Sequence, residues 1–426
     1  MLLWCELGKA IAISSTLDKR PHDVGERINL KIKSSQGGGR WLQLEAVEDG
    51  PDPALADIRR VLSSAVRAQN LVVLTGLGTS LCVVNDGARA APTMGELLQG
   101  LKAAFAEIDH AKGSTEGTRW TSFTSLANAA EDITDLEYLM SRATLAVDFL
   151  PGAQGSALKE LLVVAERVIR QKVDFLKDST QLPVHEAFLR RVARRSARRA
   201  RTKVFTTNYD LCFERAARRS GFVVVDGFAF GSDDVFDSAQ FAYDVVRRSA
   251  GEEKSDFIEN LFHLYKLHGS IDWELDEKSG QISRKPGSGK PLLIYPRSTK
   301  YEMAFNQPYI EMMGALQGSL RATNTTLLVI GFGFNDKHIA EPILGAIRAN
   351  LSLNVIVVNP DIEGASGNGG NTYLGAISSL IDGGDARLAL IAAKFEEIAP
   401  AVPDVIAETE LERHAERIRA IGSFSG

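Results

Sequence analysis

Residues 71–80 read LVVLTGLGTS, which is a run of leucine and valine followed by threonine and two glycines with one residue between them. A short, continuous apolar run that contains β-branched residues is typical of a strand buried on both faces of a parallel sheet. The glycines at 76 and 78 predict a tight turn at the carboxyl end of that strand. This stretch therefore favours an α/β fold in which ligands bind beyond the ends of the strands.

Strand-like segments return after residue 200, and helical segments lie between several of them. These segments are KVFTTNYD (203–210), GFVVVDGF (221–228), LYKLHG (264–269), PLLIYP (291–296), TTLLVIGFG (325–333), LNVIVVNP (353–360) and ARLALIAA (386–393). Alternation of this kind predicts a Rossmann-like open parallel sheet with helices on both faces.

The remaining segments differ from this pattern. Between 93 and 200, apolar residues recur three and four apart, which predicts a large helical insertion. Short strand-like runs before residue 50 predict a small N-terminal β appendage, and 404–421 is amphipathic. The predicted division is an appendage (1–50), a sheet domain (51–92 with 201–400), a helical insertion (93–200) and a C-terminal helix (401–426).

Composition excludes several classes of protein. The 426 residues are 44% apolar and 24% charged with a net charge of −5, which is typical of a globular protein and gives no global reason to expect nucleic-acid binding. The longest apolar runs are far shorter than the roughly 20 residues of a membrane span, and the first residues lack the pattern of a signal peptide. We therefore expect a cytoplasmic protein without a membrane segment.

The cysteines argue against a structural metal site. Cys5, Cys82 and Cys212 are scattered singly, with no Cys-x-x-Cys pair. Three cysteines cannot build a four-cysteine zinc module, and a disulfide framework is not expected. We expect no metal.

The glycine turn TGLGTS (75–80) is the first candidate binding element. Its glycines would let backbone N–H groups approach a phosphate closely. The turn lacks the lysine of a Walker A loop, so an ATP-hydrolysing P-loop is not expected. The alternative is a plain strand-to-helix turn.

Two further strand ends carry reactive or polar side chains. In TTNYD (206–210), Asn208 and Asp210 can offer an amide and a carboxylate to ribose hydroxyls or to water, whereas the alternative for Asp210 is a helix cap. In HGS (268–270), His268 is suited to general acid–base work because its pKa lies near neutrality, whereas the alternative is a packed core histidine.

GFGFND (331–336) and VNP (358–360) complete the set of strand ends. The first indicates a second close backbone approach to a ligand, and the second puts Asn359 where a ribose or base could be held. The alternative for both is turn chemistry.

In order and spacing these clusters resemble the sirtuin superfamily, in particular the large bacterial sirtuin-like domains associated with antiphage defence. The resemblance covers roughly 70–80 and 200–395 and also includes YPRSTKY (295–301). It implies that NAD is the substrate and that nicotinamide leaves C1′ through an oxocarbenium-like state. The resemblance implies that Asn208 lies beside the nicotinamide ribose with support from Asp210, and that His268 is the general base. It also implies two groups of binding residues: the pyrophosphate would be bound by Gly76, Gly78, Thr79 and Ser80, and the adenosine half would be lined by Gly331, Phe332 and Asn359.

Two departures from the family pattern bear on the reaction. Sirtuin deacylases resemble one another in a four-cysteine zinc module and in a Pro-Asp-Phe-Arg stretch, where this chain has Pro92-Thr93-Met94. With water as the acceptor, the expected activity is NAD hydrolysis to nicotinamide and ADP-ribose. The alternatives are a protein deacylase or ADP-ribosyltransferase, and a non-catalytic module that binds NAD or ADP-ribose.

The resemblance also implies partners. NAD depletion would serve as a gated effector of antiphage defence, with a homo-oligomer and a HerA-type ATPase, or an Argonaute-type protein, as the expected gate. The basic stretch LRRVARRSARRARTK (189–203) is interpreted as one helix with arginines at helical spacing. Its alternatives are a solvated face or subunit interface and a contact with nucleic acid.

Overall fold

The structure of the protein is a computed structural model that describes most of the chain. The described residues are 30–44, 52–196, 199–228, 234–247, 256–276, 278–287, 292–293, 308–367 and 369–404. The segments at 9–14 and 295–301, and nearly all of 404–421, lie outside the described residues.

A nine-stranded sheet forms the centre of the described fold, in the order β2-β1-β17-β16-β15-β3-β6-β10-β7. The strands are β1 (Lys31–Ser34), β2 (Trp41–Gln43), β3 (Asn70–Thr75), β4 (Val84–Asn85), β5 (Ala88–Arg89), β6 (Lys203–Thr206), β7 (Val223–Val225), β8 (Val246–Arg247), β9 (Asp256–Phe257), β10 (Leu261–Lys266), β11 (Gly269–Ser270), β12 (Trp273–Leu275), β13 (Ile282–Arg284), β14 (Leu292–Leu293), β15 (Thr325–Ile330), β16 (Leu353–Val358) and β17 (Leu388–Ala392).

The helices pack around this sheet and form a separate group after β5. They are α1 (Pro53–Arg67), α2 (Met94–Ala111), α3 (Thr118–Leu126), α4 (Leu136–Phe149), α5 (Gly152–Val173), α6 (Pro183–Val192), α7 (Cys212–Arg219), α8 (Tyr309–Arg321), α9 (Lys337–Ala349), α10 (Ile362–Ala365), α11 (Thr372–Asp382) and α12 (Phe395–Ile398).

The pairing confirms an α/β fold with a mostly parallel, Rossmann-like sheet. The strands from β17 to β7 run parallel to their neighbours, whereas β1 pairs antiparallel with β17 and β2 pairs antiparallel with β1. The described strands of the N-terminal segment thus extend the edge of the central sheet. The chain passes from β3 to β6 on one side and later reaches β15 on the other, so β3 marks a topological switch point where ligands commonly bind.

Burial of both faces explains the apolar run of β3. Leu71 and Val73 join the core on one face, while Val72 and Leu74 join the core on the other. All four are at most 2% exposed. Because alternate residues of a strand point to opposite faces, a run without polar interruption is what a sheet covered on both sides requires.

The helical insertion has its own core and lies against the segments that follow β6 and β10. Helices α2 to α5 supply most of that core, which includes the edge-to-face pair of Phe105 and Phe123. Tyr209 and Ile271, which follow β6 and β10, are buried in the same cluster. In contrast, Phe188 of α6 packs with the sheet core.

The prediction of one arginine-rich helix over 189–203 is wrong. Helix α6 ends at Val192, and β6 begins at residue 203. Arg195 is buried and donates to the carbonyl of Ala68, and Arg199 donates to the carbonyl of Val66 at 3.2 Å. These carbonyls belong to the end of α1, where helical carbonyls lack partners within the helix. Two of the arginines therefore serve as a C-terminal cap for α1.

Within the described residues, no helix has both the length and the apolar character needed to cross a bilayer.

Candidate functional site

The predicted site segments follow strands that end at the same edge of the sheet. Thr75 of β3 pairs with Thr206 of β6 and with Ile330 of β15, and Thr206 pairs with Lys266 of β10. Ile330 pairs with Val358 of β16. The glycine turn, TTNYD, HGS, GFGFND and VNP therefore all leave the sheet at one level, as expected for parallel strands.

Close packing between two turns accounts for three of the predicted glycines. The N–H of Gly78 donates to the carbonyl of Gly331 at 3.0 Å, and the N–H of Gly76 donates to Ile330 at 3.1 Å. A Cβ on Gly78 would lie 2.5 Å from Cα of Gly331, and a Cβ on Gly76 would lie 2.7 Å from the Gly331 oxygen. Gly331 itself has a φ of +65°, which favours glycine. The two turns thus require glycine for their contact with each other.

The amides predicted to face a phosphate already donate to backbone carbonyls of the protein. Beyond the bonds of Gly76 and Gly78, Thr79 N–H donates to the Gly76 carbonyl and Ser80 N–H donates to the Leu77 carbonyl. A pyrophosphate at this turn would therefore compete with existing bonds or be held by side chains. Pyrophosphate binding by this segment stays a prediction.

Asn208 joins the glycine turn to the segment after β6. Its Nδ2 donates to the Gly76 carbonyl at 3.0 Å, to Oγ1 of Thr79 at 3.2 Å and to Oγ of Ser80 at 2.8 Å. Because the amide nitrogen is committed to the turn, the side-chain oxygen is the atom that can accept from a ribose hydroxyl or from water. The half-buried position of Asn208 leaves it accessible to a ligand.

Asp210 combines a helix-capping role with a link to the turn. Its Oδ1 accepts from the backbone N–H of Cys212, the first residue of α7, at 3.0 Å. Its Oδ2 accepts from Oγ of Ser80 at 2.6 Å. The carboxylate therefore bonds to the start of α7, in keeping with the capping alternative, and it supports the network around Asn208. Its contact with ribose or water stays a prediction.

Lys266 holds the segment that follows β6 through hydrogen bonds to its backbone, a role that the sequence did not indicate. It is only 1% exposed and donates from Nζ to the carbonyl of Asp210 at 2.6 Å and to that of Tyr209 at 3.3 Å. It also pairs with Oε1 of Glu214 at 2.9 Å. A buried lysine is tolerated here because carbonyls and a carboxylate satisfy its donors.

His268 lies against a carboxylate that the sequence-based site did not include. Its Nε2 is 2.8 Å from Oδ2 of Asp336, and the two side chains are only 4% and 7% exposed. The ring N–H is not aligned on the oxygen, so the contact is a close buried approach that becomes an ion pair when the imidazole is protonated. Asp336 ends the motif GFGFND and caps α9 through a 3.0 Å bond from His338 N–H to Oδ1.

The electrostatics of the pair favour its charged form. Burial alone would lower the pKa of His268, but the contact and charge of Asp336, with Glu137 of α4, outweigh burial and raise that pKa above its ordinary value. Burial would raise the pKa of Asp336, but His268 and His338 outweigh burial and lower it. Opposite charges at this distance each favour the ionised form of the other.

The residues predicted to contact adenosine differ in their exposure to solvent. Phe332 is 6% exposed and packs against Phe334 in the core, with ring centroids 5.2 Å apart. Asn359 is half-buried, and its Oδ1 accepts from Asp361 N–H at 3.0 Å, which is the turn chemistry weighed as the alternative. Gly331 provides the close backbone contact described above. Contact of these residues with adenosine stays a prediction.

The cysteine thiols of the described residues are poor nucleophiles. Burial, with Glu396 adding to it, raises the pKa of Cys82 to about 12. Burial together with Asp210 raises the pKa of Cys212 well above its ordinary value. In the described ranges, no group of three or more His, Cys, Asp or Glu side chains is arranged to hold a metal ion. The absence of zinc stays a prediction from the cysteine count.

Comparison with known families supports the resemblance. Residues 202–363 match the family model of the SIR2-like domain. The match supports a Sir2-superfamily domain. SIR2-like domains bind NAD, so the match suggests NAD-related activity for a segment that carries Asn208, Asp210, His268 and Asp336. No curated protein matches the chain.

Proposed function

We propose that this protein hydrolyses NAD to nicotinamide and ADP-ribose. The observation that carries the proposal is that Asn208 and His268 follow neighbouring parallel strands, each two residues beyond the paired Thr206 and Lys266. An amide oxygen and a titratable ring thus meet at one edge of the sheet, in a segment that matches the SIR2-like domain. This combination is suited to a substrate with ribose hydroxyls and a cationic leaving group.

In the proposed reaction, the bond between C1′ and the pyridinium nitrogen breaks. The electron pair of that bond goes to nicotinamide, which leaves as a neutral molecule, and positive charge develops on the ribose. Fixed dipoles such as the oxygen of Asn208 stabilise that charge without reorganisation. Water then bonds to C1′, and neutral His268 takes the proton that water loses, directly or through the ribose hydroxyl that it contacts.

We propose that water, and not acyl-lysine, is the acceptor in the reaction. The three cysteines cannot supply the zinc module of the deacylases, and the chain lacks their Pro-Asp-Phe-Arg stretch. Support for a gate comes from the helical insertion, whose core includes Tyr209 and Ile271 beside the site segments. Movement of the insertion would therefore displace the segments that carry Asn208 and His268.

The biological setting rests on the sequence resemblance alone. We propose a cytoplasmic effector of antiphage defence that depletes NAD when it is released from control. A homo-oligomer, a HerA-type ATPase or an Argonaute-type protein would supply that control. Arg195 and Arg199 bind carbonyls at the end of α1. This reduces the support that the basic stretch at 189–203 gives to direct nucleic-acid binding.

The test is to incubate the purified full chain with NAD, with and without an acetylated peptide, over a range of protein concentrations that covers self-association. Chromatography of nicotinamide and ADP-ribose should show equimolar release without peptide. Release that requires the peptide would replace hydrolysis with deacylation or ADP-ribosyl transfer. Binding of NAD by calorimetry without any turnover would establish a non-catalytic module and overturn the proposal.

A further inference from the structure

We propose that Asp336 is a positioning residue that fixes the orientation and the protonation state of His268. The inference rests on the proposed function, because the property that it explains is the reactivity of His268. The carboxylate of Asp336 holds two different partners.

The two oxygens of Asp336 are committed to different elements. Oδ1 accepts from His338 N–H in the first turn of α9, and Oδ2 lies 2.8 Å from Nε2 of His268 beyond β10. A carboxylate anchored at one oxygen by a rigid helix end cannot rotate freely, so its second oxygen is a fixed point for the imidazole. In the neutral form of His268 the anion favours the tautomer with its proton on Nε2, and Nδ1 is then the ring atom that can accept a proton.

The turn before Asp336 has an unusual conformation that is held by neighbouring groups. Phe334 has a φ of +56° and is 1% exposed, although the left-handed region is rare for bulky residues. Nδ2 of Asn371 donates to the carbonyl of Phe334 at 2.9 Å, which stabilises the turn. Gly331 has a φ of +65° at the start of the same turn. Strain that surrounding contacts maintain is common where side chains must be aimed at a site.

The charged groups around His268 and Asp336 determine the direction in which loss of Asp336 would move the pKa of His268. Asp336 and Glu137 both raise the pKa of His268, and burial opposes them. On the other side of the pair, His338 lowers the pKa of Asp336, and Asp336 contributes to the raised pKa of Tyr309. Without the charge of Asp336, burial would lower the pKa of His268. Neutral His268, the form that accepts a proton, would then persist to lower pH.

Asp336→Asn separates this role from a structural one. Asparagine is as good a helix cap as aspartate, so the bond from His338 can remain while the negative charge is lost. Asp336→Ser, which also keeps a capping oxygen, is the second variant if the first does not fold. Asp52→Asn is the matched control, because Asp52 caps α1 through a 2.8 Å bond from Leu55 N–H and α1 carries none of the site residues.

Kinetics of NAD hydrolysis across pH give the first readout. Asp336→Asn should lower kcat by about 10-fold or more with little change in KM, since general-base catalysis contributes about 10²–10⁴-fold. The acid limb of its kcat/KM profile should move to lower pH, while Asp52→Asn follows the unmodified protein. A variant with unchanged kcat, or with an acid limb that does not move, would overturn the positioning role.

NMR titration of His268 in the full chain gives a readout that needs no substrate, with His268→Gln to assign the resonance. The imidazole should titrate above its ordinary value near 6.5 in the unmodified protein and at lower pH in Asp336→Asn. Equal titration in both would overturn the pairing. If the unmodified protein binds NAD without turnover, the proposed function fails, and the titration still decides whether Asp336 governs the protonation of His268.

Discussion

Replacement of Gly78 by alanine tests whether the two glycine turns meet as described. The new Cβ would lie 2.5 Å from Cα of Gly331 and 3.1 Å from its carbonyl oxygen. Carbon atoms pack best at about 3.5–4.0 Å, so one turn must move by roughly 1 Å, and both groups are backbone. Overpacking of this kind costs about 1–3 kcal/mol, and the loss of glycine freedom in the unfolded chain offsets about 0.4–1 kcal/mol. We expect a net loss of about 1–2 kcal/mol in the free energy of unfolding.

Gly314→Ala is the matched control with the opposite sign. Gly314 lies in the middle of α8, is exposed, and has no atom within 4 Å of an added Cβ. Alanine there should raise the free energy of unfolding by about 0.5–1 kcal/mol. Urea unfolding followed by tryptophan fluorescence measures both variants, with the slope m as the check on cooperativity. A Gly78→Ala protein as stable as the unmodified one would refute the turn-to-turn contact.

Two further predictions concern a buried lysine and a half-buried cysteine near the site. Lys266→Met should lower the free energy of unfolding by about 3 kcal/mol. This value is at the lower end of the range for a broken buried ion pair, because 24% of the Glu214 side chain is exposed. In the same urea assay, Lys177→Met should change it by less than about 1 kcal/mol, since Lys177 belongs to a surface pair that is 58% and 83% exposed; equal effects of the two substitutions would contradict the role given to Lys266. Cys82, a half-buried residue with its pKa raised to about 12, should react with iodoacetamide at pH 8 roughly 10³-fold more slowly than an ordinary thiol in peptide mapping, and rapid alkylation would show that its pKa is not raised.

The sheet and its functional edge could be predicted because their signals are local. Continuous apolar runs such as 71–74 and 327–330 mark strands buried on both faces, and the residues that follow parallel strands must meet at one edge. Asn208 and His268 could therefore both be placed at the ligand-binding edge without any knowledge of contacts. The resemblance assigned them roles, and the structure shows which atoms remain to perform those roles.

The features that were missed depend on partners distant in the sequence. Asp336 lies in a motif that the sequence marked, but its pairing with His268 is a contact between the ends of two strands that are not neighbours in the sheet. The arginines near residue 195 have helical spacing, yet Arg195 and Arg199 bind carbonyls at the end of α1. Periodicity reports which residues share a face only if a helix forms, and it contains no information about such acceptors.

The glycine turn shows the same limit in another form. Glycine at 76 and 78 correctly predicts close approach of backbone to another group, but it does not say which group approaches. In the structure the approaching group is the Gly331 turn of the same chain. A motif of this kind is thus compatible with a ligand cradle and with a packing contact until the neighbouring strand end is known.

The role of His268 in NAD hydrolysis is measured by the release of nicotinamide from NAD by the purified full chain, compared with that by His268→Ala. His110→Ala, which replaces an exposed histidine of α2, is the matched control. We predict equimolar nicotinamide and ADP-ribose from the unmodified protein and from His110→Ala, and a loss of about 10²-fold or more in a folded His268→Ala protein. Undiminished release by folded His268→Ala would contradict this prediction.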